Sequence, residues 1–403
     1  MNFATALTLV TLGFLFSLFV DIGTAFRVEW FLFGLDFKID FITKSFAFFS
    51  SFVWLMSAIY SHFTIRTQIK RYWFWFILTF AGNYGLIISH DILGFYLFFS
   101  LMSLAAFGLV IHTQTQGEKE AAFLYIKYAI LGEVALFIAI IISVSHYGGF
   151  TFELFKTSMP PLALGLFIFG FGIKGGLFLL HFWLPPAHAN APAAASATLS
   201  GVMLKAGILG LIRVLPFGDT VENLGGIALC SLGVAGIYFG LFGLLKSKLK
   251  EILAYSSISQ MGYLFILLGY GLLEPTLWET LLGVVIFFSI HHAINKSSLF
   301  FLAGEVMHCG LTKHFILLGS LFALSLVGVA FSSGGMAKEM LLASLKSAPL
   351  ITLLLSPSIF VTALLMLKLA WIAKEIPAQI PKSNFALYIL YPMALLSLAL
   401  TFY

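Results

Sequence analysis

Lysine, histidine and glutamate residues stand inside long apolar stretches of this 403-residue sequence, where a charged side chain is costly. A charge at the centre of a bilayer costs on the order of 3 kcal/mol on insertion scales, so such residues usually face protein or water and serve a function. Ionisable groups that follow one another through successive helices can pass protons along. The candidate ion-translocating residues are Glu133, Lys174, Lys205, His291, His292, Lys296, Lys338 and Glu339.

Lys174 is the central member of this series, and Glu133 is the acidic partner that we expect for it. Lys174 lies in LFIFGFGIKGGLFLL, whose glycines leave space for water or a close helix, and Glu133 lies in KYAILGEVALFIAIII. Burial favours the neutral form of a lysine, whereas a nearby carboxylate favours the charged form. Separating the two charges would therefore release a proton; a purely structural ion pair is the alternative.

The other candidates differ in their surroundings. His292 and Lys296 are four residues apart and share a helical face, whereas His291 is rotated away from them. A core histidine satisfied by a hydroxyl group is an equal alternative for His291. Lys338 and Glu339 are adjacent and point in different directions on a helix, and the Gly-Gly pair before them could let Lys338 reach a wet surface.

Further histidines, one lysine and the cysteines are expected to support the site or pack in the core. His181 and His188 flank a Trp-Leu-Pro-Pro break, where capping or hydrogen-bonding roles are favoured over metal binding because no third ligand is evident. Lys127 is a further candidate for a supporting role. Cys230 and Cys309 are far apart and have no CxxC pattern, which favours inert packing. The sequence predicts no metal site, redox centre or cofactor.

The composition is that of a membrane protein. Hydrophobic residues make up 60% of the chain and charged residues 10%, with a mean hydropathy of +1.03, whereas a soluble domain carries about 25% charged residues. Lipid tolerates only backbones with satisfied hydrogen bonds, so we expect an all-α integral membrane fold of about 12–14 transmembrane helices. The predicted spans are 4–22, 41–63, 72–90, 92–112, 120–146, 160–182, 190–215, 224–246, 250–273, 278–303, 314–332, 336–370 (broken or in two pieces) and 384–402.

Basic residues and helix breakers predict how these spans are arranged. Basic clusters at 62–71 and 246–250 both follow even-numbered spans, so the positive-inside rule assigns them and the N-terminus to the cytoplasm. Binding of a partner subunit is the alternative reading of these charges. Interruptions at 185–192 and 332–340 predict broken helices, which occur in membranes where the backbone lines a cavity or polar path.

Three long stretches carry a family resemblance. The stretch KGGLFLLHFWLPPAHANAPAAASATLSGVMLKAGILGLIRV, followed by LKEILAYSSISQMGYLFILLGYG and HHAINKSSLFFLAGEVMH, resembles the antiporter-like subunits of respiratory complex I, of Mrp-type Na⁺/H⁺ antiporters and of group 4 membrane-bound hydrogenases. The resemblance implies two inverted five-helix repeats, each with a discontinuous helix. It divides the chain into N-terminal transmembrane helices (1–90), a first repeat (91–246), a second repeat (247–372) and a C-terminal transmembrane helix (373–403).

The resemblance also assigns residues to the family's proton-carrying line of Lys, His and Glu. Lys174 matches its central lysine, and Lys205 matches the bridging lysine of the broken helix. His291 or His292 matches its histidine helix, and Lys338 matches the lysine or glutamate of the second broken helix.

One departure concerns the acidic partner of the central lysine. The family usually carries an acid in the helix that reads LGFYLFFSLMSLAAFGLV here, where Phe99 and Ser100 stand instead. Glu133, one helix later, is the candidate replacement. The segment GVAFSSGGMAKE also lacks the usual prolines, which predicts a different geometry for the second break.

These observations predict an antiporter-like subunit that moves H⁺, or Na⁺, in a complex I-like NADH/ferredoxin–quinone oxidoreductase or a membrane-bound hydrogenase. The expected partners are other membrane subunits and the lipid bilayer, with no nucleic acid, and the expected location is the inner (cytoplasmic) membrane, which the chain crosses many times. One alternative is a subunit of an Mrp-type antiporter. Another is a non-conducting scaffold of a redox or inorganic-carbon uptake complex, which the missing acid at Ser100 supports.

Overall fold

The computed structural model describes residues 2–217, 221–377 and 385–402, which form helices joined by short loops. Strands β1 (Ala25–Val28) and β2 (Leu35–Lys38) pair as an antiparallel hairpin between the first two helices. The α-helices in chain order are α1 (Phe3–Phe19), α2 (Phe41–Thr64), α3 (Ile69–Ile88), α4 (Ile92–Val110), α5 (Gln116–Tyr147), α6 (Pro161–Gly175), α7 (Leu184–Asn190), α8 (Ala193–Thr198), α9 (Leu204–Val214), α10 (Asn223–Phe239), α11 (Leu249–Leu273), α12 (Trp278–Cys309), α13 (Lys313–Val327), α14 (Ser333–Ser344), α15 (Pro349–Leu355), α16 (Ser358–Glu375) and α17 (Phe385–Ala399).

Many of these helices are long and apolar enough to cross a membrane. α5 has 32 residues, and at about 1.5 Å per residue it is longer than a bilayer core is thick. The expectation of a mostly helical membrane protein is confirmed, and the β-hairpin at 25–38 was not predicted. The described residues contain eight such segments: Phe41–Thr64, Ile92–Val110, Gln116–Tyr147, Ala193–Val214, Asn223–Leu245, Leu249–Leu273, Pro275–Cys309 and Pro349–Glu375. Shorter apolar helices are Phe3–Phe19, Pro161–Gly175, Lys313–Val327 and Tyr388–Phe402.

The core of the bundle is built from α8, α9, α11 and the middle of α12, which are buried on nearly every side. By contrast, α5, α10 and α16 expose large apolar side chains along much of their length. A helix that is apolar all round belongs in the interior, and an exposed apolar face suits contact with lipid or another subunit. The central helices also carry the buried residues Lys205, Lys250, Lys296, His291 and His292.

The chain leaves helical geometry directly after Lys174, which lies in the last turn of α6. Gly176 adopts φ +73°, the left-handed conformation that glycine tolerates best, and ends the helix. Turns follow until α7, whose first turn holds Pro185 and Pro186 where a missing amide hydrogen does no harm. The predicted span 160–182 is therefore wrong beyond Gly175, because the glycine pair stops the helix inside the apolar run.

The segment that carries Lys205 is continuous, which corrects the expectation that this lysine lies in a broken helix. α8 runs into α9 through one π-helical turn at Leu199–Met203. The interruption in this part of the chain lies earlier, between α6 and α7.

A second break separates α13 from α14. Gly328 ends α13 with φ +89°, and Phe331 in the connecting loop is fully exposed. Ser332 then caps α14 by accepting a hydrogen bond from the Gly335 amide at 3.1 Å. The predicted spans 314–332 and 336–370 are thus redivided: helix ends at Val327, resumes at Ser333, and is interrupted twice more before α16.

An ion pair joins α2 to α9 at the end of the bundle that carries the hairpin. Arg213 donates to the Asp40 carboxylate at 2.5 Å and 3.0 Å, and also to Thr43 Oγ1 at 2.9 Å. Burial alone would raise the pKa of Asp40, but the hydrogen bonds and charge of Arg213 lower it to about 2. An isolated β-bridge joins Phe37 of the hairpin to Ser89, and a second one nearby joins Asp91 to Thr151. The first bridge holds the hairpin against this end of the bundle.

Candidate ion-translocation site

Lys174 is buried and hydrogen-bonded to a tyrosine of α5. Its Nζ donates to the Tyr125 hydroxyl at 3.0 Å and lies 5.3 Å from the centre of the same ring. The Tyr125 hydroxyl in turn donates to the Ser103 carbonyl of α4 at 2.6 Å. The single hydroxyl hydrogen of Tyr125 is thus used on Ser103, and its lone pair is left to accept from the lysine.

Glu133 lies further along α5, with its carboxylate against α4. Its Oε2 accepts a hydrogen bond from Ser100 Oγ at 2.5 Å, and its buried Oε1 has no hydrogen-bond partner among the described residues. Lys174 is near enough to interact electrostatically with Glu133. The described residues nevertheless form no ion pair within 4.0 Å that involves Lys174. The Glu133 carboxylate and the Lys174 ammonium therefore interact electrostatically without forming an ion pair.

Lys205 lies at the centre of the bundle and contacts the histidine helix directly. Its Nζ is 2.5 Å from His292 Nδ1 and donates to the Ser200 carbonyl at 2.7 Å. Ser200 belongs to the π-helical turn, whose wider spacing brings a carbonyl five residues back within reach of the lysine. His292 Nε2 has no hydrogen-bond partner among the described residues. With Nδ1 accepting from Lys205, a neutral ring carries its hydrogen on Nε2.

α12 places two more predicted residues in the same interior. Lys296 is fully buried and donates to the Leu253 carbonyl of α11 at 2.8 Å. His291 Nδ1 is 2.9 Å from Ser333 Oγ, the first residue of α14. His291 therefore has a hydroxyl partner, as the hypothesis of a satisfied core histidine predicted. This partner, Ser333, lies at the second break.

Lys338 and Glu339 both line a cleft of about 610 Å³ beside α14, together with Tyr263 and Lys346. Lys338 donates to the carbonyl of Val327, the last residue of α13, at 2.7 Å. Glu339 is exposed and turned away from this contact. Lys338 thus bridges the break, whereas Glu339 is not joined to the buried groups.

The three supporting candidates lie in different surroundings. His181 is buried among the rings of Phe178, Phe182 and Phe239. His188 is fully buried against Phe300, and neither ring nitrogen has a partner among the described residues. Lys127 is exposed on the outer face of α5. The structure therefore places His188 within electrostatic range of Lys205, Lys250 and Lys296. Lys127 lies apart from these buried groups.

Sequence reasoning missed a polar vestibule next to the loop between α7 and α8. Lys250, counted above only as a loop charge, is buried and donates to the Ala191 carbonyl at 2.5 Å. A cavity of about 240 Å³ beside it is also lined by Glu118 and His112. Burial lowers the pKa of His112, so its ring is neutral near pH 7. The Thr-x-x-Glu capping box ending at Glu118 was the available sequence signal.

The arrangement brings the predicted residues into three groups that adjoin one another. The first is Glu133 with Lys174, the second is Lys205 with His292 and Lys296, and the third is His291 with Lys338. The first and second groups adjoin where Gly207 of α9 packs directly on the backbone of α6 at Gly175. Lys205 and Lys338 both act electrostatically on His291, which links the second group to the third.

The fold and this interior series of ionisable groups define an antiporter-like, multi-pass integral membrane protein. A family model described as "NADH:quinone oxidoreductase/Mrp antiporter, TM" matches residues 89–365. The chain belongs to this family, as its sequence motifs predicted.

Individual relatives come from several kinds of complex. The chain is 33% identical over 243 residues to hydrogenase-4 component B of Escherichia coli, covering 56% of this chain and 36% of the relative. It is 34% identical over 284 residues to NADH-quinone oxidoreductase subunit M of Rickettsia typhi, covering 68% of this chain and 56% of the relative. The chain thus spans only part of the length of these relatives.

The fold is similar to that of a solved membrane complex. A chain of the membrane-bound sulfane sulfur reductase, an archaeal respiratory membrane complex, superposes with a TM-score of 0.84 at 21% identity, covering 99% of this chain and 70% of that one. At this identity the likeness concerns the fold.

Proposed function

We propose that this chain is a proton-translocating subunit of a multisubunit complex in the cytoplasmic membrane, driven by a redox partner. In this proposal α6–α7 and α13–α14 are the discontinuous helices of two inverted repeats, and the chain crosses the membrane about thirteen times. The basic loops after α2 and before α11 face the cytoplasm. The redox module would be that of a complex I-like oxidoreductase or a membrane-bound hydrogenase.

The observation that carries the proposal is the chemistry of the groups to which the buried lysines are bonded. Lys174 donates to a tyrosine hydroxyl, Lys205 to a histidine and a backbone carbonyl, and Lys296 to a backbone carbonyl. An ammonium without a carboxylate partner is costly in an apolar interior, and ionisable residues kept there usually serve a function. A scaffold would gain nothing from burying these groups unpaired, since structural charges are normally paired.

The succession of groups suggests a route. Protons would enter from the cytoplasm at the vestibule of Lys250 and Glu118 and reach His188, which lies within electrostatic range of Lys250, Lys205 and Lys296. Lys174 would exchange protons with Lys205 where α6 packs on α9, and from Lys205 and His292 they would pass to His291 and Lys338. The 610 Å³ cleft beside Lys338 would lead to the opposite surface.

The nearness of Glu133 to Ser100 argues against the scaffold alternative. The missing acid at Ser100 was its main support, yet a carboxylate from the next helix is hydrogen-bonded to that serine. We therefore propose that Glu133 modulates Lys174 in place of an acid on α4.

In the alternative function, a subunit of an Mrp-type antiporter, the same residues form the relay and no redox partner is present. It is favoured by the family itself, whose description includes Mrp antiporters. Reconstituting the purified native complex in vesicles with a pH-sensitive dye tests both alternatives. Acidification driven by an electron donor supports redox coupling, whereas proton flux driven only by a Na⁺ gradient supports an Mrp-type role.

A further inference from the structure

Tyr125 contacts Lys174 directly and lies within electrostatic range of Glu133, the two groups on which the proposed function depends. It is buried, lies on the same helix as Glu133, and receives the Lys174 hydrogen bond that an ion pair would otherwise use. We propose that Tyr125 is a positioning residue that holds the Lys174 ammonium away from Glu133 until the break between α6 and α7 moves. This inference rests on the proposed proton-translocating function.

The hydrogen-bond directions around Tyr125 suit this role. Its hydroxyl donates to the Ser103 carbonyl at 2.6 Å, which fixes the orientation of the hydroxyl and turns a lone pair toward Lys174. The lysine also lies over the ring at 5.3 Å, where the face of an aromatic ring attracts a cation. The tyrosine therefore offers a neutral alternative to the carboxylate.

Glu133 is arranged to receive the lysine when it is released. One carboxylate oxygen accepts a hydrogen bond from Ser100. The other is buried without a hydrogen-bond partner among the described residues, and the Ser103 hydroxyl, which also has no partner there, lies near the carboxylate. A buried acceptor left unsatisfied is costly, so this oxygen favours the approach of a donor. Glu133 is the charged group that acts electrostatically on Lys174. The titratable groups that interact with Glu133 are Lys174 and the phenols of Tyr96 and Tyr125.

The Tyr125 ring is also connected to the break that follows Lys174. Trp183 packs edge-on against it, with ring centres 5.1 Å apart. The Trp183 indole donates at 2.9 Å to the carbonyl of Ile173, the residue before Lys174. That carbonyl lies in the last turn of α6, where backbone acceptors have lost their helical partners. A movement of the segment between α6 and α7 would therefore shift Trp183, Tyr125 and Lys174 together, passing the lysine from the phenol to the carboxylate.

Two phenylalanine substitutions test the inference in the purified native complex. Tyr125→Phe keeps the ring but removes the hydroxyl that accepts from Lys174. The matched control is Tyr147→Phe, because Tyr147 lies at the end of the same helix and its hydroxyl donates to the backbone carbonyl of Ser158 at 3.0 Å. We expect Tyr125→Phe to slow proton transport about tenfold, the effect of one hydrogen bond to a charged group. Tyr147→Phe should remain within about twofold of the wild type.

The pH profile and a second substitution separate positioning from a structural role. In Tyr125→Phe we expect Lys174 to pair with the Glu133 carboxylate, which holds the proton of the ammonium more firmly. The alkaline limb of the transport profile should therefore move to higher pH. Adding Glu133→Asp, which withdraws the carboxylate by one methylene, should recover part of the rate. A wild-type rate and profile in Tyr125→Phe would overturn the inference, and so would a slow rate with an unmoved profile and no recovery.

Failure of this inference can be told apart from failure of the proposed function. If Lys174→Ala abolishes transport while Tyr125→Phe leaves it unchanged, the relay remains and the role of Tyr125 is wrong. If Lys174→Ala transports normally, the relay itself is wrong, and the role of Tyr125 with it.

Discussion

Ser100 Oγ donates a 2.5 Å hydrogen bond to Glu133 Oε2, which brings a carboxylate from α5 to the side of a serine on α4. The family resemblance of the sequence led us to expect an acid in the helix to which Ser100 belongs. We propose that Glu133 supplies this acid from the next helix, beside the serine that stands in its place. Spatial replacement of this kind cannot be recognised from residue positions alone.

Glu133→Gln should slow proton transport by roughly tenfold or more, because proton-transfer groups contribute at least this much when they act in the rate-limiting step. The measurement is dye-monitored proton uptake into vesicles that contain the native complex.

Restoring the acid on α4 provides the control for that prediction. The exchange Ser100→Glu with Glu133→Ser should recover transport, since the carboxylate and hydroxyl trade places across the same contact. Wild-type transport in Glu133→Gln would show that the carboxylate is dispensable.

His292→Gln should strongly impair transport, because the ring nitrogen that contacts Lys205 and the free nitrogen opposite it are both lost as proton carriers. His181→Phe is the matched control, since His181 lies among phenylalanine rings and its replacement should pack there. Equal transport in the two variants would argue against a histidine relay.

Lys338→Ala should impair transport, whereas Glu339→Ala should leave it near the wild-type rate. Lys338 donates a hydrogen bond to the end of α13 at the second break, whereas Glu339 is exposed at the cleft that both residues line. Both variants can be assayed in the same vesicles, after gel filtration confirms that each complex has assembled. The reverse ranking would mean that the exposed carboxylate carries the ion.

Asp40→Asn should destabilise the protein by about 2 kcal/mol, because the Asp40 pKa is lowered from 3.8 to about 2 in the folded state. A lowered carboxylate pKa stabilises the fold above the unfolded value. This contribution is therefore full above about pH 4 and disappears as the pH falls toward 2. Thermal unfolding of the detergent-solubilised complex at pH 7 measures the effect, and an unchanged melting temperature would contradict it.

The sequence predicted the helices and most of the buried groups because both leave local signals. An uninterrupted apolar run marks a helix, and a lysine within it, such as Lys205 or Lys296, must face the interior. It did not predict the hairpin at 25–38 or the early end of α6, where the glycine pair overrides the apolar pattern. Nor did it predict that Tyr125 accepts from Lys174, since that contact joins residues 49 positions apart.

The buried position of Lys250 was missed for a similar reason. Beside Lys246 and Lys248 it reads as one more loop charge, yet its ammonium turns inward to the Ala191 carbonyl. A local sequence pattern cannot predict a hydrogen bond to a residue 59 positions away.

Proton transport by Lys174→Ala, compared with Lys127→Ala, is the decisive test of the proposed proton relay. The two lysines occupy facing helices, but Lys174 is buried at the proposed relay, while Lys127 lies on the exposed face of α5. With both complexes fully assembled, we predict that Lys174→Ala transports no protons and that Lys127→Ala transports at the wild-type rate. Undiminished transport by Lys174→Ala would contradict the relay.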